Sequence, residues 1–301
     1  MKSILVKIKI GSQTGGRPPA AVELAPEGVL AAALPRAGHA PEYAFVPLPA
    51  GALVAGIGEP NLRMQEEVVK AIRKALGDVS PRTRAVTVIL PDTVARVFML
   101  DFDSLPSRSA EAQSMLRFRL RKMVPFDTEH AGISYQILAQ NKTECRVLVT
   151  VMPGPILAEY EGAARSAGYE PGAVLPSSLA ALETVDSSEA VLTANLSGTA
   201  LTTSITSGQD LLLHRILELP ADRNQRISEI QRSIAVAAAY FEDKLQFPPS
   251  VLHYAGAHDA REFSQWIDDR ELTVVQLVDQ PGNAAWPASV AGVTGALAGV
   301  R

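Results

Sequence analysis

Cysteine is almost absent from this 301-residue chain: Cys145 stands alone, which excludes an internal disulfide and any CxxC metal site. It falls in the alternating run Cys145, Val147, Val149, Val151, as a core thiol would, and a reducing compartment fits. Aromatic residues are scarce, at 5% against 47% apolar residues overall, so the expected core is one of Ala, Val, Leu and Ile. No apolar run approaches the ~20 residues of a membrane-spanning helix. Positive charge is not in excess either, and the net charge of −4 argues against a general nucleic-acid binder. His39, His130, His214, His253 and His258 show no metal-ligand spacing. A GxxxxGK(S/T) phosphate loop is missing. Gly56-Ile57-Gly58 lacks the third glycine and the acidic residue of a dinucleotide loop, and reads as a turn.

The first stretch, MKSILVKIKIGSQTGGRPP, is not expected to be a signal peptide, because Lys7 and Lys9 interrupt its apolar residues. Two readings stay open for segment 1–19. It is a tail without fixed structure, or it attaches weakly to a membrane surface through Lys2, Lys7 and Lys9 alternating with Ile and Val.

From Ala20 onward the chain is patterned. AAVEL, VLAAAL and EYAFVPL read as three strands. A helix follows, with Asn61 as expected N-cap, Gln65, Val68, Val69, Ile72 and Leu76 on one face, and Gly77-Asp78 closing it. The strand Val86–Leu90 turns at Pro91-Asp92 into VARVFMLDF. The helix SAEAQSMLRFRLRKMV comes next, with Ala112, Leu116, Leu120 and Met123 at the helical period, Arg117, Arg121 and Lys122 outward, and Pro125 as terminator. ISYQIL and CRVLVTVM complete a β-α-β-β unit. A helix over 155–167 and a short one near Leu179–Leu182 follow, with Ser177-Ser178 as a cap.

Asp186-Ser187-Ser188-Glu189 forms a polar seam, beyond which the order recurs. AVLTANL, TALTTSIT and DLLLHRIL are strands. A helix carries Ile227, Ile230, Ile234, Ala237 and Phe241 at spacings of 3 and 4 and stops at Pro248-Pro249. The strand SVLHYAG, the helix Ala260–Ile267 and the strand LTVVQLV end the pattern. Each half reads as three strands, a helix, a strand and a helix. The expected fold is thus α/β with duplicated actin-like (RNase H-like) halves, 20–185 and 186–301, and a β-α-β-β subdomain inserted into the first at about 92–152.

ILPDTVARVFMLDFDSLP, RFRLRKMVPFD and ISYQIL resemble the middle of the PilM family, actin-like cytoplasmic proteins of the type IV pilus assembly machinery, related in fold to the division protein FtsA. The resemblance implies an adaptor at the inner face of the inner membrane that binds the N-terminal cytoplasmic segment of a single-span partner, PilN. Other pilus platform proteins and the assembly ATPase are further partners it implies. The groove would lie between the inserted subdomain and the first core, with Val94, Val97, Leu116, Arg117, Leu120 and Arg121 as partner-binding candidates. The Arg117-Arg119-Arg121-Lys122 cluster has two further readings: a solvated helix face, or contact with anionic lipid or an acidic partner.

The same resemblance implies ATP with Mg²⁺ between the halves, and here the family pattern is altered. At the first hairpin, where the family has Asp-x-Gly, stand Glu23-Leu24-Ala25-Pro26-Glu27-Gly28. Glu23 keeps a carboxylate, Ala25 adds a Cβ, Pro26 removes an N–H donor and Glu27 adds negative charge. At the second hairpin Asn195-Leu196-Ser197-Gly198 keeps a small, donor-rich turn without the carboxylate. One glycine, Gly256, remains of the Gly-Gly turn that meets adenosine, while Glu229 and Arg232 match the family's Glu-Ile-x-Arg-Ser as ribose or base contacts. The expectation is an adaptor without turnover. The alternatives are an active ATPase using Glu23, and the actin-like component of a type II secretion system, against which the missing transmembrane helix counts.

Overall fold

The computed structural model describes residues 17–35, 39–141, 143–185, 189–208, 210–282 and 286–298. Lys2, Lys7 and Lys9 of the N-terminal segment lie outside these residues, as do Asp186, Ser187 and Ser188 of the expected seam. Strands β1 (Ala20–Ala25) and β2 (Gly28–Ala33) form a tight hairpin extended by β3 (Glu42–Pro47). Helix α1 (Gln65–Asp78) crosses over to β4 (Ala85–Leu90), parallel to β1 as a crossover helix allows. A 3-10 turn, Asp92–Val94, opens the insertion: β5 (Arg96–Phe102), α2 (Ser109–Leu120), β6 (Gly132–Gln140) and β7 (Cys145–Met152). The chain returns through α3 (Gly154–Ser166) to β8 (Glu170–Pro176), then α4 (Ser177–Leu182).

The second half runs β9 (Ala190–Ser197), β10 (Ala200–Ser207), β11 (Asp210–Glu218), α5 (Arg223–Leu245), β12 (Val251–Gly256), α6 (Ala260–Ile267), β13 (Thr273–Gln276) and α7 (Ala291–Ala298). Its sheet, β11-β10-β9-β12-β13, repeats the first, β3-β2-β1-β4-β8, strand for strand. The inserted sheet has the order β5-β7-β6, and α2 covers one face of it with Leu116 and Leu120 against Cys145, Val147 and Val149.

Every residue of β1 and β2 is buried. Val22, Leu24 and Val29 pack with Val68, Ile72 and Tyr160 on one side, while Ala21 and Leu30 pack with Leu179 and Val293 on the other. A sheet with helices on both faces has no polar side, which accounts for the alanine-rich strands. Gly295 lets α7 approach α4, since a Cβ there would strike the Ala180 carbonyl. The insertion leans on the second half, with Leu148 clustered near Leu211 and Arg96 3.7 Å from Glu218.

Several local expectations change. Asn61 is not an N-cap, because α1 starts behind Met64 and has no side-chain cap. The Asn61 side chain is fully buried instead: Nδ2 donates to the carbonyls of Gly56 and Glu59, and Oδ1 accepts from the Gly56 N–H and the Tyr160 hydroxyl. Gln65 is exposed, and α1 runs through Gly77. Helix α2 ends at Leu120, before Pro125, leaving Met123 exposed. Strand β8 and helix α7 were not expected. The prolines and glycine of Glu170–Pro176 are poor strand residues, tolerated because β8 is a sheet edge, where a missing N–H leaves no ladder bond unmade.

Candidate functional site

The two halves meet across a polar seam. In β9 and β10, Leu192, Ala194, Leu201 and Ile205 pack toward α5 and α6. Alternation sends Thr193, Asn195, Thr202 and Ser204 to the opposite face, where Asn195 pairs with Thr202 and Ser204 with His214 of β11. Asp92, at the root of the insertion, comes down on this band. Its Oδ2 accepts from Thr202 Oγ1 at 2.6 Å, and its Oδ1 accepts from the N–H and hydroxyl of Ser178, both at 2.9 Å. Ser204 Oγ lies 3.0 Å from His214 Nδ1, and Ser178 Oγ 3.5 Å from the other ring nitrogen. Burial pushes His214 down to about 4, against the pull of Asp92, so its ring is neutral near pH 7. The Asn195 amide satisfies both its atoms when it donates to the Ala255 carbonyl at 3.3 Å and accepts from the Ser178 N–H at 3.2 Å.

Beside this network opens a cleft of about 450 Å³. Glu23 forms its floor at 8% exposure. Ser177 donates to Glu23 Oε1 at 2.6 Å, whereas Oε2 has no partner. Gly292 of α7 makes the room, since a Cβ there would collide with Oε2. Burial raises the Glu23 pKa to about 7. The Ser177 hydrogen bond opposes this rise, and the charges of Asp92 and Glu27 add to it. The far wall is Ile227, Ile230, His258 and Trp266, with the last two rings 4.6 Å apart.

The two hairpin turns face one another at the mouth. Gly198 has φ +55°, a conformation that favours glycine, and a Cβ on it would lie 3.4 Å from Pro26 Cγ. Arg226 of α5 donates to the Gly198 carbonyl. Burial also raises the pKa of Glu27, and Arg226 partly offsets the rise. Gly28 serves packing, because a Cβ on it would meet the Phe45 ring and the Val46 carbonyl.

Among the residues singled out from the sequence, Glu23, Ala25, Gly28, Asn195, Ser197 and Gly198 line the cleft together. Gly256 does not; it ends β12 with the Tyr254 hydroxyl filling the place of its missing side chain. Glu229 and Arg232 also lie elsewhere, 3.0 Å from each other at a separate recess with Asn224 and Ser228. On α5 the cleft is reached by Arg223, Arg226, Ile227 and Ile230. The partner-binding candidates divide likewise. Val94 is fully buried in the first core, and Leu116 and Leu120 are fully buried beneath the inserted sheet, so none of the three can meet a peptide. Arg117 is turned inward to the carbonyls of Thr128 and Glu129. Val97 is half-buried on β5, an edge strand, and Arg121 is exposed.

Asp92, Ser177, Ser178, Thr202, His214 and Arg226 were not anticipated as site residues. Ser177 and Ser178 are not helix caps; their hydroxyls hold carboxylates across the fold. A signal existed for Thr202, since Leu201 and Ile205 mark one face of β10 and put Thr202 and Ser204 on the other. Asp92 had none, because Pro-Asp is common in exposed turns. Among the described residues no group of three or more His, Cys, Asp and Glu could hold a metal ion, and no helix is long and apolar enough to cross a membrane.

No protein-family model matches the sequence, and no curated protein does. Solved structures do. A PilM-PilN type IV pilus biogenesis complex is similar with a TM-score of 0.75 at 17% identity, covering 94% of this chain and 98% of that chain. A Bacteroides thetaiotaomicron protein with an actin-like ATPase fold and unknown function matches with a TM-score of 0.52 at 12% identity, covering 94% of this chain and 95% of that chain. The fold is the actin-like ATPase fold. The cytoplasmic domain of EpsL, an inner membrane component of the Vibrio cholerae type II secretion system, shares it with a TM-score of 0.52 at 12% identity, covering 92% of each chain. In this actin-like frame the cleft lies between the duplicated halves, and the inserted subdomain interrupts the first.

Proposed function

We propose that the chain is a cytoplasmic adaptor of a type IV pilus inner-membrane assembly platform, and that it holds the short N-terminal segment of a PilN-like membrane partner. The observation that carries this reading is the whole-length likeness to the PilM-PilN complex, with a TM-score of 0.75 against 0.52 for the secretion component. The inserted sheet supports it. One face is covered by α2, while β5 is an open edge, and Val97 and Met99 on it are half-buried apolar residues. An extended peptide can add to such an edge through its main chain and place alternate side chains on the apolar strip. The partner surface is accordingly assigned to Val97 and Met99, without Val94, Leu116 or Leu120.

The fold class implies Mg-ATP in the cleft, and the residues present do not fit it. Phosphates need backbone N–H donors and uncommitted cations. Pro26 offers no N–H and packs toward Gly198, and Gly28 is needed for Phe45. Arg226 is engaged by the Gly198 carbonyl, which leaves Arg223 as the remaining cleft cation, and the charge of Glu27 opposes an anion. The adaptor therefore works without nucleotide turnover.

Two measurements test the reading. Calorimetry with a synthetic peptide of the membrane partner's N-terminal segment should show binding, lost in Val97→Asp while the native circular dichroism spectrum is retained; no heat from the folded parent would end the proposal. Millimolar Mg-ATP should leave thermal unfolding unmoved. A ligand at a hundred times its Kd adds about 2.7 kcal/mol, or roughly 5 °C at about 2 °C per kcal/mol. Such a shift would return the nucleotide to the mechanism.

A further inference from the structure

Helix α2 buries Ala112, Leu116 and Leu120 and leaves its other face uncovered. On that face and in the turn after it, Met115 is 38% exposed, Phe118 76% and Met123 39%; Phe118 is the most exposed large apolar residue among those described. Arg119, Arg121 and Lys122 stand between them, all exposed. None of these three cations has an ion pair among the described residues, whereas nearby Arg108 is paired with Glu111. No acidic residue occurs between Glu111 and Asp127, although the chain as a whole carries −4. Met115, Phe118 and Arg119 stand at helical spacings of three and four and share one side of α2, and Lys122 follows in the turn after it. Arg117 fixes the end of the helix by donating to the carbonyls of Thr128 and Glu129, which holds the patch in place.

We infer that this face of α2 docks on an anionic lipid bilayer. Exposed Phe and Met tips interleaved with unpaired cations match a surface whose outer layer is negative and whose interior is apolar. A merely solvated helix face carries both signs of charge and no such aromatic residue. An acidic peptide would share the charge, but one helix face is convex and offers no groove to hold it. The inference does not depend on the pilus reading, because it rests on α2 alone. Binding of this kind is weak and reversible, with each cation near the surface contributing a factor of about five.

The experiment is flotation of the full chain with vesicles of phosphatidylcholine alone or mixed with phosphatidylglycerol. The parent should float with the anionic vesicles only, and less at high salt, where surface charge is screened. Arg119→Ala/Lys122→Ala should lower partitioning about 30-fold, the product of two such factors. Phe118→Ser should lower it further, all at the parent's melting temperature. Equal binding to neutral vesicles, no binding at all, or variants that float like the parent would each overturn the inference. So would binding to soluble polyglutamate but not to vesicles, which would give the face to an acidic protein.

Discussion

Replacing Glu23 by Gln removes one ionisation at the floor of the cleft and keeps the shape of the side chain. Glu23 titrates near 7 in the folded protein against a reference of 4.5, chiefly because burial penalises its charged form. Between those values the native state holds a proton that the unfolded chain has released. Its stabilising effect is complete below pH 4.5 and is lost as pH rises through about 7. At about 1.4 kcal/mol per pH unit, the window is worth about 3 kcal/mol, or roughly 6 °C in melting temperature at about 2 °C per kcal/mol. Glu23→Gln carries no such slope, so it should match the parent near pH 4 and exceed it by about 3 kcal/mol near pH 8. Denaturant unfolding of both proteins across that range reads the site, since groups other than its neighbours Asp92 and Glu27 contribute equally to each. Parallel stability curves would refute the assignment of a buried, protonatable Glu23.

Three other changes follow from particular contacts. Thr202→Val removes the 2.6 Å donor to Asp92 Oδ2 at nearly constant volume. It should cost about 1–3 kcal/mol by denaturant unfolding, the penalty of an unsatisfied buried acceptor; a neutral outcome would mean the seam tolerates the loss. Gly295→Val drives a side chain into the Ala180 carbonyl and should lower stability by at least the roughly 1–3 kcal/mol of an overpacked core, seen as a fall in melting temperature. Asn61→Ala leaves the buried Tyr160 hydroxyl and two loop carbonyls without their partner, for about 1–3 kcal/mol or more. Hydrogen exchange should then rise first in the loop from Gly56 to Leu62.

The duplicated element order was legible because it rests on local periodicity. Val68, Ile72 and Leu76, and Ile230, Ile234 and Phe241, recur at helical spacing, and both sets are buried in the structure. The inserted β-α-β-β unit was legible for the same reason, as was Cys145 as a core thiol, whereas Leu116 and Leu120, read as partner contacts, belong to its core. Strand β8 was hidden because Glu170–Pro176 is held by pairing with β4 rather than by its own propensities. The altered hairpins at Glu23 and Asn195 could be read from residue identity alone, since a proline's missing N–H needs no coordinates.

What only the tertiary structure decided is where long-range approaches fall. The same helical spacing that placed Leu116 and Leu120 on a face could not say whether that face met a partner or the chain's own sheet; the sheet takes it. Asp92 meets Thr202 and Ser178, and Ser177 meets Glu23, across sequence separations of 110, 86 and 154 residues. No window along the chain contains such pairs. Burial of Glu23 likewise requires Gly292 of the last helix to lie over a strand near the start. Apart from strands held by pairing, such as β8, secondary structure follows from neighbours in sequence, whereas the solvation of a carboxylate follows from neighbours in space, and those are set only when the two halves close on each other.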